Sequence, residues 1–312
     1  MITLGFVYVL AGLTFAAFAA LGLQDRSNPK RFGNAAFWGL LALSMLAGDY
    51  LGDFGNGLLV LALVAIAGTG QIGRAPGGEV PAELQAERAA RHGNFLLLVA
   101  LIIPAVALAG TFLFKWVPGL ADPKQATLIS LAIGVLIALA VGMARLKPPA
   151  LLPLQQGRRL LDSVGWAAIL PQMLASLGAV FALAGVGDVV GGLIGAAIPE
   201  GSLFGAVLAF GLGMALFTMV MGNAFAAFPV MMAAVGLPLL IKQYDGDPAV
   251  VAAIGMLAGF CGTLMTPMAA NFNLVPAALL ELKNPYGVIR AQVGTALPLL
   301  AVNILFIWLF AF

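Results

Sequence analysis

The chain has 312 residues, 62% of them hydrophobic and only 9% charged, with a net charge of +2. A soluble domain runs near a quarter charged, and one of this size cannot cover so much apolar surface with wettable atoms. The charge gives no footing for a nucleic-acid partner, the single Cys261 excludes an intramolecular disulfide, and the single His92 excludes a histidine metal cluster.

The apolar runs are continuous and long, as in Ile2–Leu23 and Phe95–Phe114. A barrel strand would instead alternate apolar and polar residues over about 10 positions, whereas a helix needs about 20 apolar residues to cross. With no water in the bilayer, a helix satisfies its backbone within one segment. The expected fold is therefore an all-α polytopic membrane protein. The ten expected spans are residues 2–23, 33–48, 56–73, 94–114, 125–144, 163–186, 203–221, 224–241, 250–267 and 291–311. No Lys or Arg precedes the first apolar run, which argues against a cleaved secretory signal.

Alternation from the 24–32 loop collects Arg26, Lys30, Arg31, Arg74, Arg88, Arg91, Arg145, Lys147, Arg158, Arg159, Lys283 and Arg290 on one side, 12 of the 15 basic residues. The positive-inside rule makes that side cytoplasmic. Both termini are then outside, in a bacterial inner membrane, with Asp49, Asp53, Asp122, Asp188, Glu200, Asp245 and Asp247. Residues 203–241 are read either as two full spans or as a hairpin entering and leaving from the outer face. The loop 74–93 reads as a short solvated helix with Pro81 in its first turn and Glu83, Glu87, Arg88 and Arg91 at helical spacing, or as a docking helix. Asp49 and Asp53, among glycines, read as a solvated turn or an ion entry point. The loop 145–162, with Pro148, Pro149 and Pro153, divides scaffold helices 1–162 from a second half, 163–312.

Glycine, proline and uncharged polar residues interrupt the second half. Pro267 disfavours helix at Thr266, and Pro276 suits the first turn of a new helix over 276–283 with Asn273 as its cap. Thr263, Thr266, Asn271 and Asn273 would decorate this break. A similar interruption runs from Thr218 through Gly222-Asn223 to Pro229. In lipid such breaks are tolerated where they are buried in protein or line a cavity, and secondary transporters build midplane sites from them. Kinking alone is the competing explanation. The glycines at 187, 191, 195, 255 and 259 are spaced for close helix packing. Gln172 is a candidate to face the interior. Glu281 and Lys283 read as an interfacial ion pair. No carboxylate stands at the middle of a span, so no proton relay is evident. The catalytic motifs for phosphate, zinc-peptidase or serine-hydrolase chemistry are absent, and no enzyme is expected.

Three stretches carry a family resemblance: Met221-Gly-Asn-Ala-Phe-Ala-Ala-Phe-Pro-Val-Met, Cys261-Gly-Thr-Leu-Met-Thr-Pro-Met-Ala-Ala-Asn-Phe-Asn-Leu-Val-Pro-Ala-Ala-Leu-Leu-Glu, and Asn284-Pro-Tyr-Gly-Val-Ile-Arg-Ala-Gln. They resemble the bacterial membrane family called domain of unknown function nine-seven-nine, and length and hydropathy agree over the whole chain. The resemblance implies genes for a second, smaller membrane protein and a pyroglutamyl peptidase nearby. It thereby implies a two-component permease for 5-oxoproline or a related small carboxylate. It also implies a distant relation to the ion-transporter superfamily. No residue roles come with it.

The expectation is a secondary transporter or transporter subunit for a small anion, with a smaller partner subunit. Homo-oligomers are compatible. No cofactor is expected, and Na⁺ or H⁺ coupling is left open. Asn223, Thr263, Thr266, Asn271 and Asn273 are the candidate donors or ion ligands, with helix breaks at Gly222, Pro229, Pro267 and Pro276. The alternative is a non-transporting assembly subunit, in which Asn223 and Asn271 only satisfy each other or the broken backbone. A lipid-modifying enzyme ranks third.

Overall fold

The computed structural model describes residues 1–75, 82–117, 119–197 and 201–312. Pro81 and Glu200 lie outside the described residues, and so does the side chain of Gln172. The described residues form thirteen α-helices, and seven helical stretches are long and apolar enough to cross a bilayer. The protein is a multi-pass α-helical membrane protein. The chain divides into two compact units, Met1–Gly165 and Trp166–Phe312.

The first unit contains α1 (Leu4–Gln24), α2 (Arg31–Gly68), α3 (Ala82–His92), α4 (Phe95–Trp116), α5 (Ala126–Leu146) and α6 (Leu152–Val164). A straight α2 would be about 57 Å long at the standard helical rise. Instead its two ends touch. Gly33 lies against the Gln71 backbone, and Asn34 Nδ2 donates to the Gly73 carbonyl at 2.7 Å while Gly73 N–H donates back to Asn34 Oδ1 at 2.9 Å. The fold-back is at Gly52, whose φ of 61° and ψ of −177° suit glycine alone. Asn56 Nδ2 closes the reversal by donating to the Gly48 and Gly52 carbonyls. Asp49 and Asp53 stand exposed beside it. One unbroken-looking helix thus supplies both arms expected at 33–48 and 56–73.

The stretch 145–162, expected to be a loop, is largely helix. α6 starts with Pro153 in its first turn, where the missing N–H costs nothing. It buries Arg158 and Asp162. Arg158 Nη2 lies 2.6 Å from Asp25 Oδ2 and Nη1 lies 3.4 Å from Asp162 Oδ2. Trp38 Nε1 donates to Asp162 Oδ1 at 2.8 Å, and its ring stacks on Phe15 at 5.7 Å. Asn28 and Asn34 both donate to the Gly73 carbonyl. This polar knot ties the α1–α2 turn, both ends of α2 and α6 together at one end of the unit. At the other end Ile2 N–H donates to the Leu120 carbonyl, and Asp122 N–H donates to that of Ile2. The basic loops around residues 26–31, 74 and 158 therefore share one end. On α4, Leu97, Leu101 and Leu108 are more than half exposed, the surface a helix offers to lipid.

The second unit contains α7 (Leu170–Leu183), α8 (Val186–Ala197), α9 (Leu203–Met221), α10 (Ala224–Met231), a π-helical segment Met232–Gln243, α11 (Pro248–Leu264), α12 (Leu274–Leu279) and α13 (Gly287–Phe310). The span expected at 163–186 takes in the end of α6 and the whole of α7, and α8 lies beyond it. A 3₁₀ stretch Gly165–Ile169 precedes α7, and Gly185, at φ 68°, turns the chain into α8. Neither helix has the roughly 20 residues a crossing needs.

α9 and α10 form a hairpin, for Gly213 lies against Met231 and Gly236 against Phe210. Pro229 does not break this hairpin. It is the sixth residue of α10, and its missing donor leaves one rung open before the ladder widens to π spacing at Met232. Four of the five spaced glycines pack as expected: Gly187 and Gly191 against the backbone of Val230 and Ala234, Gly255 against Phe210, and Gly259 against Met214 and Ala224. Gly195 meets nothing. The core is built on Val207, Phe210, Met214, Met231, Val235 and Ile307, all fully buried.

Replacing Asp162 with Ala leaves the Trp38 N–H without an acceptor and strips Arg158 of one carboxylate. The cost is expected on the order of 3 kcal/mol, read as a fall in the melting temperature of the detergent-solubilised chain. Gly262→Val would drive a side chain into the Ala215 carbonyl oxygen, so the same melt should show a loss of about 1–3 kcal/mol; a wild-type melt would mean that α9 and α11 are not held this closely.

The acid knot also has a pH signature. The Ser27 hydroxyl, then the Arg158 guanidinium, hold the Asp25 carboxyl below its ordinary range. Burial pushes that of Asp162 up, against the Trp38 N–H and the Arg158 charge. A lowered carboxylate stabilises above its unfolded-state pKa and loses that as pH falls through the folded value. A raised one costs stability as pH climbs from the unfolded value through the folded one. Melts across this range should show Asp25→Asn flattening only the acid limb and Asp162→Asn only the upper limb.

Candidate functional site

α9 ends where Gly222 adopts φ 71° and its N–H donates to the Thr218 carbonyl at 2.7 Å. That is a left-handed helix stop, which glycine takes without strain. Asn223 is extended, and its Oδ1 accepts from Phe225 N–H at 2.9 Å, so it caps α10. Of the first break, Gly222 and Asn223 behave as a stop and a start on adjacent residues at the tip of the hairpin.

α11 ends at Leu264, and residues 265–273 are non-helical before α12. Pro267 lies within this stretch. Pro276 does not break anything, for it is the third residue of α12, where its donor would be unpaired in any case. α12 starts earlier than the expected 276–283 and is shorter. Asn273 stands at its N-cap position but makes no capping bond. It turns the other way. Its Nδ2 donates to the Thr263 carbonyl at 2.8 Å and the Thr266 carbonyl at 2.7 Å, holding the freed end of α11. The reason is the depth of the side chain, which is 0% exposed and faces carbonyls that lipid could not satisfy.

The two breaks interlock. Thr266 Oγ1 donates to the Met219 carbonyl at 2.7 Å and accepts from Met268 N–H. Gly259 brings α11 against Met214, Thr218 and Ala224. Thr263, Thr266 and Asn273 are thereby brought together and buried, with Asn223 half-buried at the hairpin tip. Thr263 Oγ1 spends its proton on the Phe260 carbonyl. Asn271 is not brought in: its side chain is exposed, because the turn that buries Ala269, Ala270 and Asn273 points residue 271 outward.

Depth follows from α13. Phe204 packs edge-on against Trp308 at 6.1 Å, and Gly211 abuts Ile304. Counting along these antiparallel helices sets Met221 level with Ala291 to Gly294, in the first third of α13. The breaks are therefore displaced from the middle of this helix toward the end that carries Lys283 and Arg290. The physical cause is length, since α9 and α11, with 19 and 17 residues, are each almost a full crossing.

Thr218, Gln292 and Asn303 are three further polar residues of this unit outside the expected set. Thr218 Oγ1, Asn273 Oδ1 and Gln292 Oε1 are buried without a hydrogen-bond partner among the described residues. Asn303 is buried, and its Nδ2 contacts Cys261 Sγ at 3.5 Å. Thr218 lies just before the first of the quoted stretches and Gln292 ends the third, and a polar residue inside an apolar helix was the one signal that could have marked them. Among the described residues, no group of His, Cys, Asp or Glu could hold a metal ion. The interlock is uncharged, and the polar atoms that meet in it are amide, hydroxyl and carbonyl groups.

The stretches 218–231 and 261–292, which form this interlock, are also those that carry the family resemblance. A family model described as Protein of unknown function (DUF979) matches residues 5–312. No curated protein and no solved structure matches the chain. With the match running through both units and both breaks, the chain belongs to the DUF979 family.

Proposed function

We propose that this protein is the membrane subunit of a secondary transporter for a small carboxylate, with 5-oxoproline as the candidate substrate and a second, smaller membrane protein as its partner. The observation that carries the reading is the interlock itself. Two helix ends meet inside the second unit, with non-helical chain between them, no formal charge, and polar oxygens left without partners. Soluble-style turns would sit in water, and kinks alone would leave every polar atom paired. The N-terminus of α10, with Asn223 beside it, supplies the positive dipole end that a carboxylate favours.

The bacterial inner membrane, with both termini outside, belongs to the same proposal. It is supported by the charge bias and by the hydrogen bonds that gather the basic loops of the first unit at one end.

A second reading has its own observation. Asn223 caps α10 and Asn273 satisfies the carbonyls of α11, which is what a non-transporting assembly subunit would need from them. One variant separates the two. Asp caps a helix as well as Asn does, so Asn223→Asp should leave the melting temperature near wild type. It also sets a negative charge where the carboxylate would approach. In proteoliposomes holding both subunits, uptake of labelled 5-oxoproline should fall at least tenfold with Asn223→Asp. Uptake that never exceeds empty vesicles, from a well-folded pair, would remove the substrate; equal uptake by wild type and variant would remove Asn223 from the path.

A further inference from the structure

We infer that the interlock holds a monovalent cation, bound by neutral oxygens centred on Asn273. Two carbonyls hold its Nδ2, and flipping the amide would turn its oxygen onto both of them, so the orientation is fixed. Oδ1 then points where no donor among the described residues meets it, in a side chain that is fully buried. A carbonyl oxygen in that state wants a donor or a cation. Thr218 Oγ1 is likewise buried and unpartnered, and it belongs to the same interlock through the Thr266–Met219 hydrogen bond and the Gly259 contact. Gln292 Oε1 is a third such oxygen, on the part of α13 level with the hairpin tip.

The chemistry selects the ion class. All three atoms can act as oxygen ligands, and two of them are pure acceptors, the wrong polarity for a carboxylate. No Asp or Glu lies in 203–243 or 248–280, so the carboxylates that Ca²⁺ and Mg²⁺ sites rely on are missing. Neutral oxygens suit Na⁺ or K⁺, and unwound backbone carbonyls of 265–273 are the natural remaining ligands. The bound charge would sit close to the start of α10 and offset that of an anion arriving there. Binding stands independently, and the coupling role rests on the transporter reading.

The test uses the purified full-length protein in detergent, melted in NaCl, KCl or choline chloride at equal ionic strength. Na⁺ or K⁺ is expected to raise the melting temperature by several degrees over choline, saturably with concentration. Thr218→Val keeps the shape and removes a hydroxyl that has no partner among the described residues, so it should fold. It should raise the half-saturating cation concentration at least tenfold, and Gln292→Met should do the same in part. Equal melts in all three salts would overturn the proposal, leaving bound water as the partner of these oxygens. So would a cation response that both variants leave unchanged. A cation response without any substrate uptake would keep the site and discard the transporter; uptake indifferent to Na⁺ and K⁺, with flat melts, would do the reverse.

Discussion

A backbone group without a helical partner has nowhere else to turn when lipid surrounds the protein, and the second unit is organised by that constraint. α11 stops with its last carbonyls exposed to the interior. A single amide, Asn273 Nδ2, answers two of them, and the Thr266 hydroxyl crosses to a carbonyl of α9. The close approach of α9 and α11 at Gly262 makes the crossing possible. Each of these features requires the others: without the glycine the helices part, without Thr266 the hairpin tip loses its tether, and without Asn273 the freed carbonyls are unpaired.

The first unit meets a related constraint with charge. Arg158 and Asp162 are taken out of water on an amphipathic helix, which costs several kcal/mol per ion unless they are paired. Asp25, Trp38 and the Asn34–Gly73 exchange supply the pairing. Because those partners come from α1, from both ends of the folded-back α2 and from α6, the knot fixes how four chain segments meet. The two units thus hold together by different means, one by a charged cluster at a helix end and the other by an uncharged interlock.

The distinction bears on function. A charged cluster whose members nearly all find partners is well explained by architecture. An uncharged interlock that pairs the hydroxyls and carbonyls of Thr263 and Thr266 yet leaves three oxygens without a partner among the described residues is not. The nitrogen of Asn273 does structural work while its oxygen is free, so the residue is both a brace and a candidate ligand. Asn271, two residues earlier, looked equivalent in the sequence and is instead on the surface.

Composition and hydropathy alone determined that this is a helical membrane protein, because apolar runs near 20 residues admit one physical solution in lipid. Local chemistry also determined the break at Gly222-Asn223 and the irregular chain around Pro267, since glycine and proline act over a few residues. Tertiary structure decided the rest. It folded α2 back at Gly52, added a short helix beyond the turn at Gly185, carried the chain helically through Pro229, and sorted Asn273 inward from Asn271 outward. It also made Asp162 a buried partner of Trp38 across more than a hundred residues. Such choices depend on which distant backbone or charge a group meets once the chain is packed, and no local pattern of residues records that meeting.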